Sequence, residues 1–205
     1  MRKFIFLYTD MKITSAEFLK SISIHDEKIF LEIRNEVIFI GRSNVGKSSL
    51  MNALLNKKDL VKTSSKPGKT RNANMFLVNE KYHFTDLPGY GFAKLGQALR
   101  DDLDALISWY VEEKKYTIKQ VVLVCDGKIG PQQSDIDMYQ YITQLWLPLT
   151  VVLSKVDKIW KTDAQRSKAH TQEIFFGARV IPVSAAKGDG IEELSKILGE
   201  ALSQK

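Results

Sequence analysis

The sequence predicts a three-layer α/β sandwich, with helices on both faces of a six-stranded, mostly parallel sheet, and three observations carry that prediction. Short runs of β-branched and aromatic residues alternate with longer amphipathic stretches from Val37 onward, the pattern of repeated βα units. A glycine-bracketed segment, Gly41 to Ser48, stands between an apolar run and an amphipathic one, so a strand turns there directly into a helix. Two of the apolar runs, 74–79 and 81–86, are separated by Glu80 alone. That gap is too short for a crossover and makes the pair an antiparallel hairpin on an otherwise parallel sheet.

Taken in order, the expected strands are 36–40, 74–79, 81–86, 119–125, 149–154 and 179–184. A helix opens near Lys47. Leu99, Leu103, Leu106, Ile107, Tyr110 and Val111 recur at three- and four-residue spacing, as do Ile191, Leu194, Ile197, Leu198 and Ala201; each set marks a helix with one buried face. Residues 1–35 read as an N-terminal extension packing on the domain, and 36–205 as a single domain. Met11 to Ser21 reads as a better opening than the ten residues before it, which makes Met11 a candidate for the functional start beside Met1.

A chain of 205 residues with 44% hydrophobic content can bury one sizeable core and falls short of a second. Its single cysteine, Cys125, and its three scattered histidines, His25, His83 and His170, exclude a disulfide framework and offer no zinc-ligand spacing. The apolar run Phe4 to Tyr8 behind Arg2 and Lys3 stops at Asp10, too short for a secretory core or a membrane span. A soluble, cytoplasmic protein without a membrane partner is expected. The formal charge of +6 favours polyanionic partners such as RNA, although charge alone is equally compatible with a solvated basic surface.

Gly41-Arg42-Ser43-Asn44-Val45-Gly46-Lys47-Ser48 fits G-x-x-x-x-G-K-[ST], the phosphate-binding loop of P-loop nucleoside triphosphatases. Backbone N–H groups of such a loop and the positive end of its helix cradle phosphates, and glycine lets the chain approach them closely. Lys47 supplies a charge to the β and γ phosphates, Ser48 offers a hydroxyl to Mg²⁺, and Ser49 completes the expected nucleotide-binding run. Asp86-Leu87-Pro88-Gly89 follows an expected strand, so Asp86 can hold a magnesium-bound water and Gly89 can turn its N–H to the γ phosphate. Between the two motifs, Ser64 to Arg71 has no periodicity and reads as a mobile loop. Thr70 within it is the candidate second Mg²⁺ ligand, flanked by Gly68, Lys69 and Arg71; an exposed basic linker accounts for Lys66, Lys69 and Arg71 equally well.

Ser154-Lys155-Val156-Asp157 follows the strand at 149–154 and resembles the [NT]-K-x-D box of GTPases. An ionised Asp157 accepts from guanine N1–H and the 2-amino group, which adenine does not match. Lys155 can lie along the base, and Ser184-Ala185-Ala186 after the last strand can bring the Ala185 N–H to guanine O6. Ser154 departs from the usual Asn or Thr but keeps a hydroxyl. The motif order predicts a P-loop NTPase of the Ras-like class, with GTP or GDP as ligand.

Gly41 to Ser49, Lys66-Pro-Gly-Lys-Thr70 and Asp86-Leu-Pro-Gly-Tyr-Gly-Phe-Ala-Lys94 together resemble the EngB (YihA or YsxC) family of bacterial GTPases. Met11 to Phe18, Trp109-Tyr110 and Asp126 to Met138 also resemble it, with Lys128 where Arg is expected. The resemblance implies a GTPase, acting as a monomer, that assists assembly of the large ribosomal subunit through contacts to its rRNA and proteins, and through that supports cell division and septation. Tyr90 stands where Ras-like enzymes carry the water-orienting Gln, so intrinsic hydrolysis is expected to be slow. Asn44 stands where several Asn-bearing GTPases bind K⁺ against the phosphates, which adds K⁺ to the expected cofactors. Lys47, Asn44, Thr70 and Gly89 form the expected catalytic set. A GTP-sensing module with negligible hydrolysis and a P-loop ATPase or kinase are the alternatives; Tyr90 keeps the first open, and Asp157 speaks against the second.

Overall fold

The computed structural model describes residues 11–27, 33–62, 71–91 and 96–204. Its strands are β1 (Ala16–Ile22), β2 (Glu36–Gly41), β3 (Ala73–Val78), β4 (Tyr82–Asp86), β5 (Ile118–Asp126), β6 (Leu149–Ser154) and β7 (Arg179–Pro182). Its helices are α1 (Lys47–Leu54), α2 (Gln97–Lys114), α3 (Gln133–Gln144), α4 (Lys161–Ile174) and α5 (Ile191–Ser203). The strands form one seven-stranded sheet in the order β1-β3-β4-β2-β5-β6-β7.

The expected hairpin is present: β3 and β4 pair antiparallel, while β2 pairs parallel with both β4 and β5. The seventh strand was not expected. Residues 16–22, read from sequence as part of an extension, pair antiparallel with β3 along the sheet edge. Their alternation is interrupted by a bulge between Phe18 and Lys20, and the strand is buried fully only at Ile22. Without a clean period of two, no strand signal survives. Because β1 and β4 both run opposite to β3, β3 alone is reversed.

Each residue of β2 is buried, as for a strand covered on both faces. Ile38 and Ile40 join Leu123, Val151, Ile107, Tyr110 and Ile142 in one core layer; Val37 and Phe39 join Val122, Val124, Leu50, Leu194 and Leu198 in the other. The period-two alternation of β2 and β5 therefore feeds two cores, one roofed by α2 and α3 and one by α1 and α5. No described helix is long and apolar enough to cross a membrane.

Glu36 opens β2 at the end opposite the glycine-rich loop and is completely buried. Its Oε1 accepts from Thr85 Oγ1 and Tyr110 Oη, each at 2.5 Å, and Lys114 Nζ lies 3.8 Å from Oε2. Burial raises the Glu36 carboxyl, with Lys114 and the hydroxyl donors acting against that rise. These contacts bind β2, β4 and α2 at one end of the sheet. Tyr110→Phe removes one donor from a buried acceptor, and is expected to lower the unfolding free energy by about 1–2 kcal/mol in urea titrations; an unchanged midpoint would show that this hydrogen bond adds no stability.

Candidate functional site

Where β2 ends, the chain turns through residues 42–46 and starts α1 at Lys47. Gly41 is required by crowding: a Cβ there would lie 2.5 Å from the Val124 carbonyl oxygen of β5. Gly46 is required by conformation, since it caps α1 at φ 101°, a region that L side chains avoid. No side chain caps α1, so the first-turn N–H groups and the helix dipole face the loop. Asn44, at φ 62°, is exposed at the loop's tip.

The loop is tied down from β6. Ser154 Oγ lies between the carbonyl oxygens of Val45 and Cys125 as their donor, the latter at 3.0 Å. Lys155, itself at φ 58°, donates from Nζ to the Asn44 carbonyl at 2.6 Å and to Asp126 Oδ2 at 2.9 Å. Burial opposes ionisation of Asp126, but the Lys155 hydrogen bond and the N–H groups of Lys128 and Ile129 overcome it and hold that carboxyl below its ordinary value. The hydroxyl that Ser154 keeps in place of Asn or Thr is thus a structural contact to the loop.

From β4, Asp86 meets Lys47. The buried Lys47 ammonium donates to Asp86 Oδ1 and, at 2.6 Å, to the Leu87 carbonyl. Pro88 is buried, and Gly89 rests on the glycine-rich loop so closely that a Cβ would lie 3.0 Å from both the N and Cα of Ser43. Tyr90 continues the contact, accepting from Ser43 N–H at 3.1 Å and donating its own N–H to the Gly41 carbonyl at 3.4 Å. Its ring turns inward, 4% exposed, so the side chain at the position of the water-orienting Gln belongs to the core.

Asp157 lies in a short 3-10 turn, Val156–Lys158, just beyond β6. Its Oδ1 accepts from Ser184 Oγ at 2.8 Å, and Lys158 Nζ stands 3.4 Å from Oδ2. The Ser184 hydrogen bond, ahead of the Lys158 charge, holds the Asp157 carboxyl below the ordinary aspartate range. Ser184 is buried beyond β7, with Ala185 half-buried and Ala186 exposed beside it.

The structure therefore brings Gly41 to Ser49, Asp86 to Gly89, Ser154 to Asp157 and Ser184 to Ala186 to one rim of the sheet. Arg71 is exposed just before β3; Gly68, Lys69 and Thr70 lie outside the described residues. Two carboxylates in this rim, Asp126 and Asp135, lie in the Asp126 to Met138 stretch quoted from sequence but are not among the site residues expected from it. Asp126 ends a buried strand, which is a usable signal; Asp135, bonded to Arg42 and Tyr90, has none beyond its place in the first turn of α3.

A family model described as "50S ribosome-binding GTPase" matches residues 36–155. The "probable GTP-binding protein EngB" of Natranaerobius thermophilus is 39% identical over 94% of this chain and 100% of its own. That of Thermotoga maritima is 41% identical over 84% of this chain and 89% of its own. A crystal structure of a probable EngB superposes with a TM-score of 0.71 at 30% identity, covering 83% of this chain and all of the other. Aquifex aeolicus Era bound to GDP and aluminium fluoride gives a TM-score of 0.71 at 27% identity, over 85% of this chain and 58% of its own. Matches of this identity over nearly the full length, on a sheet whose rim gathers the loop, the Asp86 motif and the Asp157 box, establish that the chain belongs to the EngB family of P-loop GTPases.

Proposed function

We propose that this protein is a cytoplasmic, monomeric GTP switch that assists assembly of the large ribosomal subunit, through its rRNA and proteins, and thereby supports cell division and septation. The observation that carries the guanine reading is Asp157, held ionised by Ser184 on the same rim as the glycine-rich loop. Two charge-assisted hydrogen bonds to guanine, each worth about 1.5–3 kcal/mol, separate it from adenine by two to four orders of magnitude. The large-subunit reading is supported by the description of the matching family model. The exposed cations Lys57, Lys58, Lys62 and Arg71, which border the segment 63–70, suit an RNA surface.

In this reading Gly41 to Ser49 wrap the phosphates, Lys47 leaves Asp86 to pair with the β and γ oxygens, and Gly89 donates its N–H to the γ phosphate. Ser48 and Asp86, the latter through water, with Thr70 from outside the described residues, would hold Mg²⁺. Two hydroxyls and one carboxylate acting through water are a donor set that fits an ion that keeps its waters and binds phosphate. When bound, that metal neutralises charge on the phosphate oxygens. Asn44, exposed at the loop tip, is the proposed K⁺ contact, and the buried Tyr90 keeps intrinsic turnover slow.

Asp157→Asn presents an amide that suits xanthine better than guanine. It is expected to weaken GDP binding by about a hundredfold or more and to gain affinity for xanthosine diphosphate in calorimetric titrations; undiminished GDP affinity would take base reading away from Asp157. Turnover of GTP, measured in K⁺ and in Na⁺ with and without large-subunit particles, is expected to rise with K⁺ and again with particles, which co-sediment with the GTP-bound protein. Equal rates and no co-sedimentation would contradict the K⁺ and ribosomal assignments respectively.

A further inference from the structure

Tyr90 holds the position from which other GTPases aim a side chain at the attacking water, yet its hydroxyl points to α3 and donates to Asp135 Oδ1 at 2.9 Å. Asp135 is completely buried, and its other oxygen, Oδ2, accepts from Arg42 Nε at 3.0 Å and from the Gln132 N–H at 2.9 Å. One carboxylate thus gathers donors from the residue after Gly41, the residue after Gly89 and the start of α3. The backbone repeats the link, through Ser43 N–H to the Tyr90 carbonyl and Tyr90 N–H to the Gly41 carbonyl.

Gly89 lies inside this frame, pressed on Ser43. A buried carboxylate is costly unless each oxygen is paired, and apolar residues of the same size would fill the space at least as stably. Capping of α3 through the Gln132 N–H accounts for one partner of Asp135; the other two, Arg42 and Tyr90, tie the glycine-rich loop to the residue after Gly89. We propose that Asp135 is a positioning residue for GTP hydrolysis: through Arg42 and Tyr90 it sets the distance between the phosphate loop and the Gly89 N–H that meets the γ phosphate. Tyr90 then serves as the anchor of the switch strand. The proposal rests on the GTPase reading and on the role given above to Gly89.

The test is single-turnover and steady-state hydrolysis by the full-length chain without ribosomal particles, comparing wild type with Asp135→Asn, Tyr90→Phe and the double variant. Each single change is expected to lower kcat about ten- to a hundredfold, the scale of a small misplacement of a catalytic group, while GDP affinity and KM stay at their wild-type values. The double variant is expected to lose less than the product of the two, because both act through one carboxylate. Unchanged kcat in the single variants, or a loss of GDP affinity in step with kcat, would overturn the positioning role. Should Asp135→Asn fail to fold, Tyr90→Phe, which removes one oxygen and leaves the buried ring, carries the same test. Wild type measured alongside separates the two failures: its inactivity would strike the GTPase reading, and its normal turnover beside unaltered variants would strike this one.

Discussion

The parallel pairing of β2 with β4 on one side and β5 on the other fixes where every other part of the site can stand. Phe39 sits opposite Asp86 and Gly41 opposite Val124, while Asp126 at the end of β5 faces Ser154 at the end of β6. Those registers place the carboxyl ends of β2, β4, β5 and β6 side by side. The chain leaves β2 toward β3 and β4 on one flank and reaches β5 on the other, which opens a crevice at the strand where the order reverses. A one-residue slip of β2 would exchange its two buried faces and carry the glycine-rich loop away from Asp86 together.

Polar cross-links then convert alignment into a rigid site. Ser154 and Lys155 hold the loop from the β6 side, and Asp135 holds it from α3 while also gripping Tyr90. Gly41 and Gly89 permit backbone contacts that any Cβ would obstruct. The direct Lys47–Asp86 pair neutralises two buried charges against each other, so in the proposed function Lys47 and Asp86 would exchange this contact for the ligand's.

Much of this was legible in sequence because it is local. β2, β5 and β6 are nearly all buried and carry the apolar runs Val37 to Ile40, Val121 to Cys125 and Val151 to Leu153, and the loop, Asp86 and Asp157 motifs each occupy a few consecutive residues. α4 was not legible, since Thr171 is its single fully buried residue and no apolar stripe exists. α3 buries only Asp135 and Ile142 in full, and β1 loses its alternation at the bulge. The contact from Arg42 to Asp135 spans 93 residues, and nothing in either neighbourhood announces it. The motifs are runs of adjacent residues, whereas Asp135 joins Arg42 and Tyr90 across the fold and carries no local signature.

The proposed switch depends on this rim selecting guanine nucleotides through Asp157. Displacement of a fluorescent GDP by GTP and by ATP from the wild-type chain, with Mg²⁺ present, tests it most directly. GTP is expected to compete at concentrations at least about a hundredfold below those at which ATP has any effect. Displacement by ATP at the same concentrations as GTP would contradict the account.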